Sequence, residues 1–236
     1  MRKSLGILPF GLLTGLLFSG CGQELPLGFL DYPIINGETD RTIEHMAVVV
    51  VSSSQGGTCS GTLIAPRVIL TAAHCAEAPT DTYSVLFGYN MNNYTSREVS
   101  EKWVHPYYSS YQLVNDIALM RLSSSEPSSA TPIPHLPYSE RVTQSDIYND
   151  TPFTFVGFGV TDPDDEMSFG VKMKFTDGID WICESSNCPW SNPGHENTIC
   201  QNQSPSGLCQ GDSGGPAFVT RGGQEYVAGI ASYVGQ

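Results

Sequence analysis

The sequence predicts an all-β protein of the sandwich or barrel type. Three observations carry that expectation. Short β-branched or apolar runs recur along the chain, turn residues separate them, and no long stretch shows helical periodicity. The 24 glycines and 16 prolines supply turns for many short strands.

Taken in order, the first run is 47–52, where four successive valines favour an extended backbone because each is branched at Cβ. Runs 61–64 and 68–71 follow, punctuated by Gly56-Gly57 and Pro66. Runs 83–87, 117–122, 153–156, 171–175, 216–219 and 226–233 continue the series. Residues 123–137 are rich in Ser and Pro and read as a linker between an N-terminal half, 34–122, and a C-terminal half, 138–236.

Composition narrows the function. The 236 residues are 40% hydrophobic, enough for a real core, and the formal net charge of −13 leaves no basic footprint for nucleic acid. Residues 1–20 read as a signal peptide, with Arg2 and Lys3 ahead of an apolar run shorter than the ~20 residues of a spanning helix. Phe18-Ser19-Gly20-Cys21 resembles the lipobox of a bacterial lipoprotein, with Phe18 where Leu is usual. That reading makes 21–33 a lipidated pro-segment and anchors the chain to a bacterial membrane at Cys21; the other reading is an ordinary cut nearby with Cys21 incidental. Either way the chain is expected to be secreted or extracytoplasmic. Export makes disulfides the default for the seven cysteines, and no Cys-x-x-Cys pair or histidine spacing suggests a metal site.

Three segments carry the chemistry. Gly211-Asp212-Ser213-Gly214-Gly215-Pro216 presents a serine between glycines, which permit a tight turn and leave backbone N–H groups for a developing oxyanion. Thr71-Ala72-Ala73-His74-Cys75 ends an apolar run on an imidazole, whose ordinary pKa near ~6.5 suits it to take and return a proton. Asn115-Asp116-Ile117-Ala118-Leu119-Met120 places an acid at the head of an apolar run, where it can fix the tautomer of an imidazole and stabilise the imidazolium.

These motifs, in the order His, Asp, Ser, resemble the chymotrypsin/trypsin family. Ile34-Ile35-Asn36-Gly37-Glu38, Val104-His105-Pro106-Tyr107 and Gly157-Phe158-Gly159 add to the resemblance, which spans 34–236. It implies two six-stranded antiparallel β-barrels with the site in the cleft between them. His74 is then base and acid, Asp116 its orienting partner and Ser213 the nucleophile. Backbone N–H groups of Gly211 and Ser213 form the oxyanion hole, Ser232 lies beside the catalytic Asp, and Cys59–Cys75 matches a family disulfide. His105 corresponds to a loop residue, while His45, His135 and His195 match no motif and are read as surface or packing residues. No cofactor and no metal are implied, and Tyr89 stands where some relatives carry an acidic calcium-loop residue. The implied partners are protein or peptide substrates and protease inhibitors.

The resemblance also speaks to specificity and activation. Gly207 occupies the base of the S1 pocket, where trypsin-like enzymes carry an Asp to pair with Arg or Lys. Val234 follows Ser232 and Tyr233 where Gly is common, which resembles an elastase and predicts cleavage after small or medium apolar residues. Release of an α-amino group at Ile34, to pair with Asp212, is expected, but Pro33 replaces the usual Arg or Lys. Gln236 follows Ser213 by 23 residues, so against the family pattern the second barrel is expected to be truncated, without the last strand and C-terminal helix. Poor stability, weak activity and no family partner for Cys209 are expected from that, with Cys200 pairing with Cys183 or Cys188. The competing functional reading is an inactive, protease-like binding module. An esterase would carry its triad in the order Ser, Asp, His.

Overall fold

A computed structural model of the chain describes residues 34, 37–162, 165, 167–183, 198–202 and 206–233. The leader with Cys21, together with Cys188, His195 and Val234, lies outside these residues.

The N-terminal half is a closed barrel of β2 (Val48–Ser53), β3 (Thr58–Ala65), β4 (Val68–Thr71), β7 (Ala118–Leu122), β6 (Asn93–Val104) and β5 (Tyr83–Asn90), in that order around the ring. Closure pairs every strand on both sides and leaves no edge. All four valines of β2 are buried, together with Leu63, Ile69, Val85, Phe87, Met120 and Leu122. β6 escapes the reading of the sequence. Its twelve residues are mostly exposed and polar, so the pairing with β5 and β7, not an apolar pattern, makes it a strand.

The C-terminal half forms a five-stranded sheet that also takes in β1 (Glu38–Thr39) from the N-terminal segment, in the order β1, β9 (Met173–Asp177), β8 (Phe153–Gly157), β12 (Pro216–Arg221), β13 (Gln224–Ile230). The hairpin β12–β13 turns on Gly222 and Gly223, both at positive φ, as a tight hairpin of right-handed twist requires. β10 (Trp181–Cys183) and β11 (Thr198–Cys200) form a separate antiparallel ribbon. Phe153, Phe155, Met173, Phe175 and Val219 fill the core of this half, and Phe155 and Phe175 stack at 4.7 Å. Among the described residues the second half is thus a partial barrel, beside a complete first one. A short helix, α1 (Gln144–Tyr148), starts with a reciprocal capping box between Thr143 and Asp146 and is held to β12 by an Arg221–Asp146 ion pair of 2.5 Å.

Residues 123–137 contain no strand but join the halves. The Ile133 N–H donates to Leu63 O in the first barrel, and the Leu136 N–H to Val227 O in the second sheet. Val156, Phe158 and Phe218 of the second half belong to the core cluster of the first. No helix of the described residues is long and apolar enough to cross a membrane.

Two expectations are corrected. Val171 precedes its strand, which starts at Met173. Cys200 is a free thiol, whereas Cys183 and Cys209 are each in disulfides. The register of the ribbon explains why Cys200 does not reach Cys183: it sits opposite Trp181, and Cys183 sits opposite Thr198.

Candidate active site

His74 follows the end of β4, where the Ala76 N–H donates to Ala73 O and turns the chain back. Cys75, the next residue, is bonded to Cys59 of β3 with the Cα atoms 6.1 Å apart. The disulfide fixes the backbone on which the imidazole stands. Asp116 precedes β7, after Asn115 at φ +54. It accepts three hydrogen bonds. His74 Nδ1 donates at 2.8 Å and the His74 N–H at 2.9 Å, while Ser232 Oγ donates at 2.5 Å. This engagement of Nδ1 leaves Nε2 as the nitrogen free for chemistry. The His74 side chain is 27% exposed and that of Asp116 3%, so the imidazole is open to solvent and the carboxylate is not. Burial pushes the Asp116 carboxyl up, but the hydrogen bonds from His74 and Ser232 overcome it and hold the pKa below the ordinary carboxylate value.

Ser213 stands on the loop before β12. Its carbonyl accepts from the Ser60 N–H at 2.8 Å, and Cys75 Sγ lies 3.7 Å from the same oxygen. Gly214, at φ +79, packs so closely that a Cβ would stand 2.8 Å from Ala72 N. These contacts seat residues 213–214 against the segment that carries His74. The Ser213 hydroxyl has no hydrogen-bond partner among the described residues, His74 Nε2 included. Nor do the N–H groups of Gly211 and Ser213, although those of Asp212, Gly214 and Gly215 all have acceptors.

Asp212 is fully buried. Gly159 and Cys209 donate backbone N–H groups to it at 2.8 and 2.9 Å, and no cation pairs with it among the described residues. Desolvation pushes its pKa up to about 6 against those two hydrogen bonds. Gly157 and Gly159 are glycines because of it: a Cβ at 159 would lie 2.6 Å from its Cγ, and one at 157 would overlap Oδ1. Ile34 is 0% exposed in the core of the second half, and the strand that follows it pairs with β9. Gly207 is buried on the approach to the loop, Tyr233 is 40% exposed, and Val234 lies outside the described residues. Cys59, His74 and Cys75 cluster closely, but the disulfide consumes both thiolates that a metal would need.

Residues 34–236 match the family model described as Trypsin. The chain belongs to the trypsin family of serine proteases. It is 31% identical over 185 residues to Chymotrypsin-like elastase family member 1 of Macaca fascicularis, covering 75% of this chain and 68% of that protein. The human protein of the same name is 31% identical over 186 residues, covering 75% and 70%. Trypsin delta of Drosophila erecta is 29% identical over 222 residues, covering 89% of this chain and 84% of that protein.

Two features of the molecule, one at the site and one away from it, had no signal in the sequence. Ser60 binds both Gly211 O and Ser213 O of the serine loop, yet nothing marks it beyond its place after Cys59. His45, read as surface or packing, is buried and ion-paired to Asp40 at 2.5 Å and to Glu225 at 3.0 Å. His135 is exposed.

Proposed function

We propose that this trypsin-family chain is an extracytoplasmic serine endopeptidase that cleaves peptide bonds through an acyl-enzyme on Ser213. One observation carries the reading. A buried Asp116, hydrogen-bonded to a partly exposed His74, stands beside a serine loop whose N–H groups at Gly211 and Ser213 have no acceptor among the described residues.

The steps follow from that arrangement. His74 Nε2 takes the hydroxyl proton as Ser213 Oγ attacks the scissile carbonyl, and Asp116 stabilises the imidazolium through Nδ1. The Gly211 and Ser213 N–H groups receive the oxyanion. The same imidazolium protonates the leaving amine, and water repeats the sequence to release the acyl group.

Gly207 offers no carboxylate for a cationic side chain, which supports cleavage after small or medium apolar residues. Activation is a cut before Ile34. The new α-ammonium then supplies the cation that buried Asp212 does not have among the described residues, and the burial of Ile34 in the second core supports that geometry. The leader and the anchor at Cys21 remain parts of this proposal that rest on the sequence. Rates on matched peptide anilides ending in Ala, Val and Arg test the specificity: the Ala and Val substrates turn over faster, and a faster Arg substrate overturns it.

A further inference from the structure

We propose that Ser60, a buried residue of the first barrel, is a positioning residue: its side-chain hydroxyl locks the peptide that joins the two halves of the oxyanion hole. The proposal rests on the protease reading above and extends it to a residue outside the triad.

Four successive carbonyls in the nucleophile loop are pinned. Gln210 O accepts from the Val160 N–H at 2.7 Å, and Asp212 O from the Gly215 N–H at 2.8 Å. The other two go to Ser60. Its Oγ donates to Gly211 O at 2.9 Å, and its N–H donates to Ser213 O at 2.8 Å. In a trans peptide the N–H points away from the C=O of the same unit, so holding a carbonyl aims its amide. The peptide with Gln210 O carries the Gly211 N–H, and the peptide with Asp212 O carries that of Ser213. Between them lies the Gly211–Asp212 peptide, whose carbonyl Ser60 holds. Its orientation sets the angle between the two hole amides.

Gly211 needs such an external hold. It sits at φ +93, in a region where only glycine is at ease and where the absence of a side chain leaves the backbone free to turn. The hydroxyl is also fully used. While it donates to Gly211 O, it accepts from the Phe158 N–H at 3.0 Å, within the one-donor, two-acceptor capacity of a serine. Phe158 lies between Gly157 and Gly159, the two glycines that pack on Asp212. Thr71 Oγ1, from the strand that leads to His74, donates to Ser60 O at 2.8 Å. One 0%-exposed serine therefore couples the first barrel, the oxyanion loop and the wall of the Asp212 site.

The test compares the parent protein, cut to start at Ile34, with its Ser60→Ala, Ser60→Gly and Ser60→Thr variants prepared in the same way, on one apolar peptide anilide. Ser60→Ala is expected to lower kcat by about 10- to 100-fold with KM unchanged, as a misaimed oxyanion donor does. Binding of a peptide boronic acid, whose tetrahedral adduct puts an oxygen in the hole, weakens by the same factor. Binding of a non-covalent peptide of the same sequence does not change. Ser60→Thr retains the hydroxyl and keeps most of the turnover. Ser60→Gly gives the same readout if the Ala variant does not fold. Unchanged kcat in a folded variant lacking the hydroxyl overturns the proposal, as does an equal loss of boronate and peptide binding. Failure of both hydroxyl-free variants to fold overturns it too, by making the group a structural requirement. An inactive parent overturns the protease reading itself.

Discussion

Two buried carboxylates stand on opposite sides of the active-site loop, and their environments push them in opposite directions. Asp116, on the side of the first barrel, accepts three hydrogen bonds and is held below the ordinary carboxylate pKa. Asp212, on the side of the second half, is buried more deeply, accepts only two, and is pushed up to about 6. Burial raises both; the deeper burial of Asp212, against the side-chain donors and the imidazole that face Asp116, decides the opposite outcomes. The first acid is complete as it stands. Among the described residues the second has no positive partner, and that asymmetry fits the proposal above, in which the Asp–His pair is preassembled and the loop is completed by a cut before Ile34.

The largest expected effect breaks the completed side. Asp116→Asn leaves the shape intact but removes the charge that fixes the His74 tautomer, and kcat falls by about 10⁴, as this change does in the trypsin triad. Steady-state kinetics on a folded variant checks it. Next comes the unfinished side. N-terminal sequencing of active protein returns Ile34, and a chain that retains residues before it is slower by about 10²–10³, the cost of losing an oxyanion donor. Activity at full rate from a chain with any other start breaks the comparison.

A pH experiment sharpens it. The folded pKa of Asp212 exceeds its ordinary value of 3.8, so the folded chain holds that proton more tightly than the unfolded chain. Its contribution is full below 3.8 and lost as pH rises through about 6. The uncleaved parent therefore gains stability relative to Asp212→Asn as pH falls from 7 to 4, on the order of 3 kcal/mol in thermal melts. In protein that starts at Ile34 the α-ammonium lowers that pKa and the trend disappears. The smallest effect is at Ser232. Ser232→Ala removes one of three donors to Asp116, which weakens the hold that keeps its carboxyl below the ordinary value, and lowers kcat about tenfold in steady-state kinetics.

Legibility in the sequence followed the type of interaction. The valines of β2 and the apolar runs of β4, β7 and β12 announce themselves because burial selects their residue types. β6 does not, since a mostly exposed strand can be polar throughout and is defined by its neighbours' backbone. The loop glycines around Ser213 were legible as a motif, but why Gly157 and Gly159 must be glycine emerges only when Asp212 is seen against them. Hydroxyls and ions that satisfy a distant partner were silent. Ser60 meets Gly211 across 151 positions, and His45 meets Glu225 across 180. The buried Lys172 donates to His45 O at 2.5 Å, and desolvation pushes its pKa down to about 7; no local pattern foretells it. The pairing expected of Cys200 failed for a related reason, because strand register is not written in cysteine spacing.

The most direct test is chemical. The purified active protein is treated with a fluorophosphonate and the labelled peptide is identified by mass spectrometry, in parallel with His74→Ala. The account predicts one label per chain, on Ser213, and almost none in the variant. A chain that hydrolyses peptides while Ser213 stays unlabelled, or labels equally well without the imidazole, contradicts it.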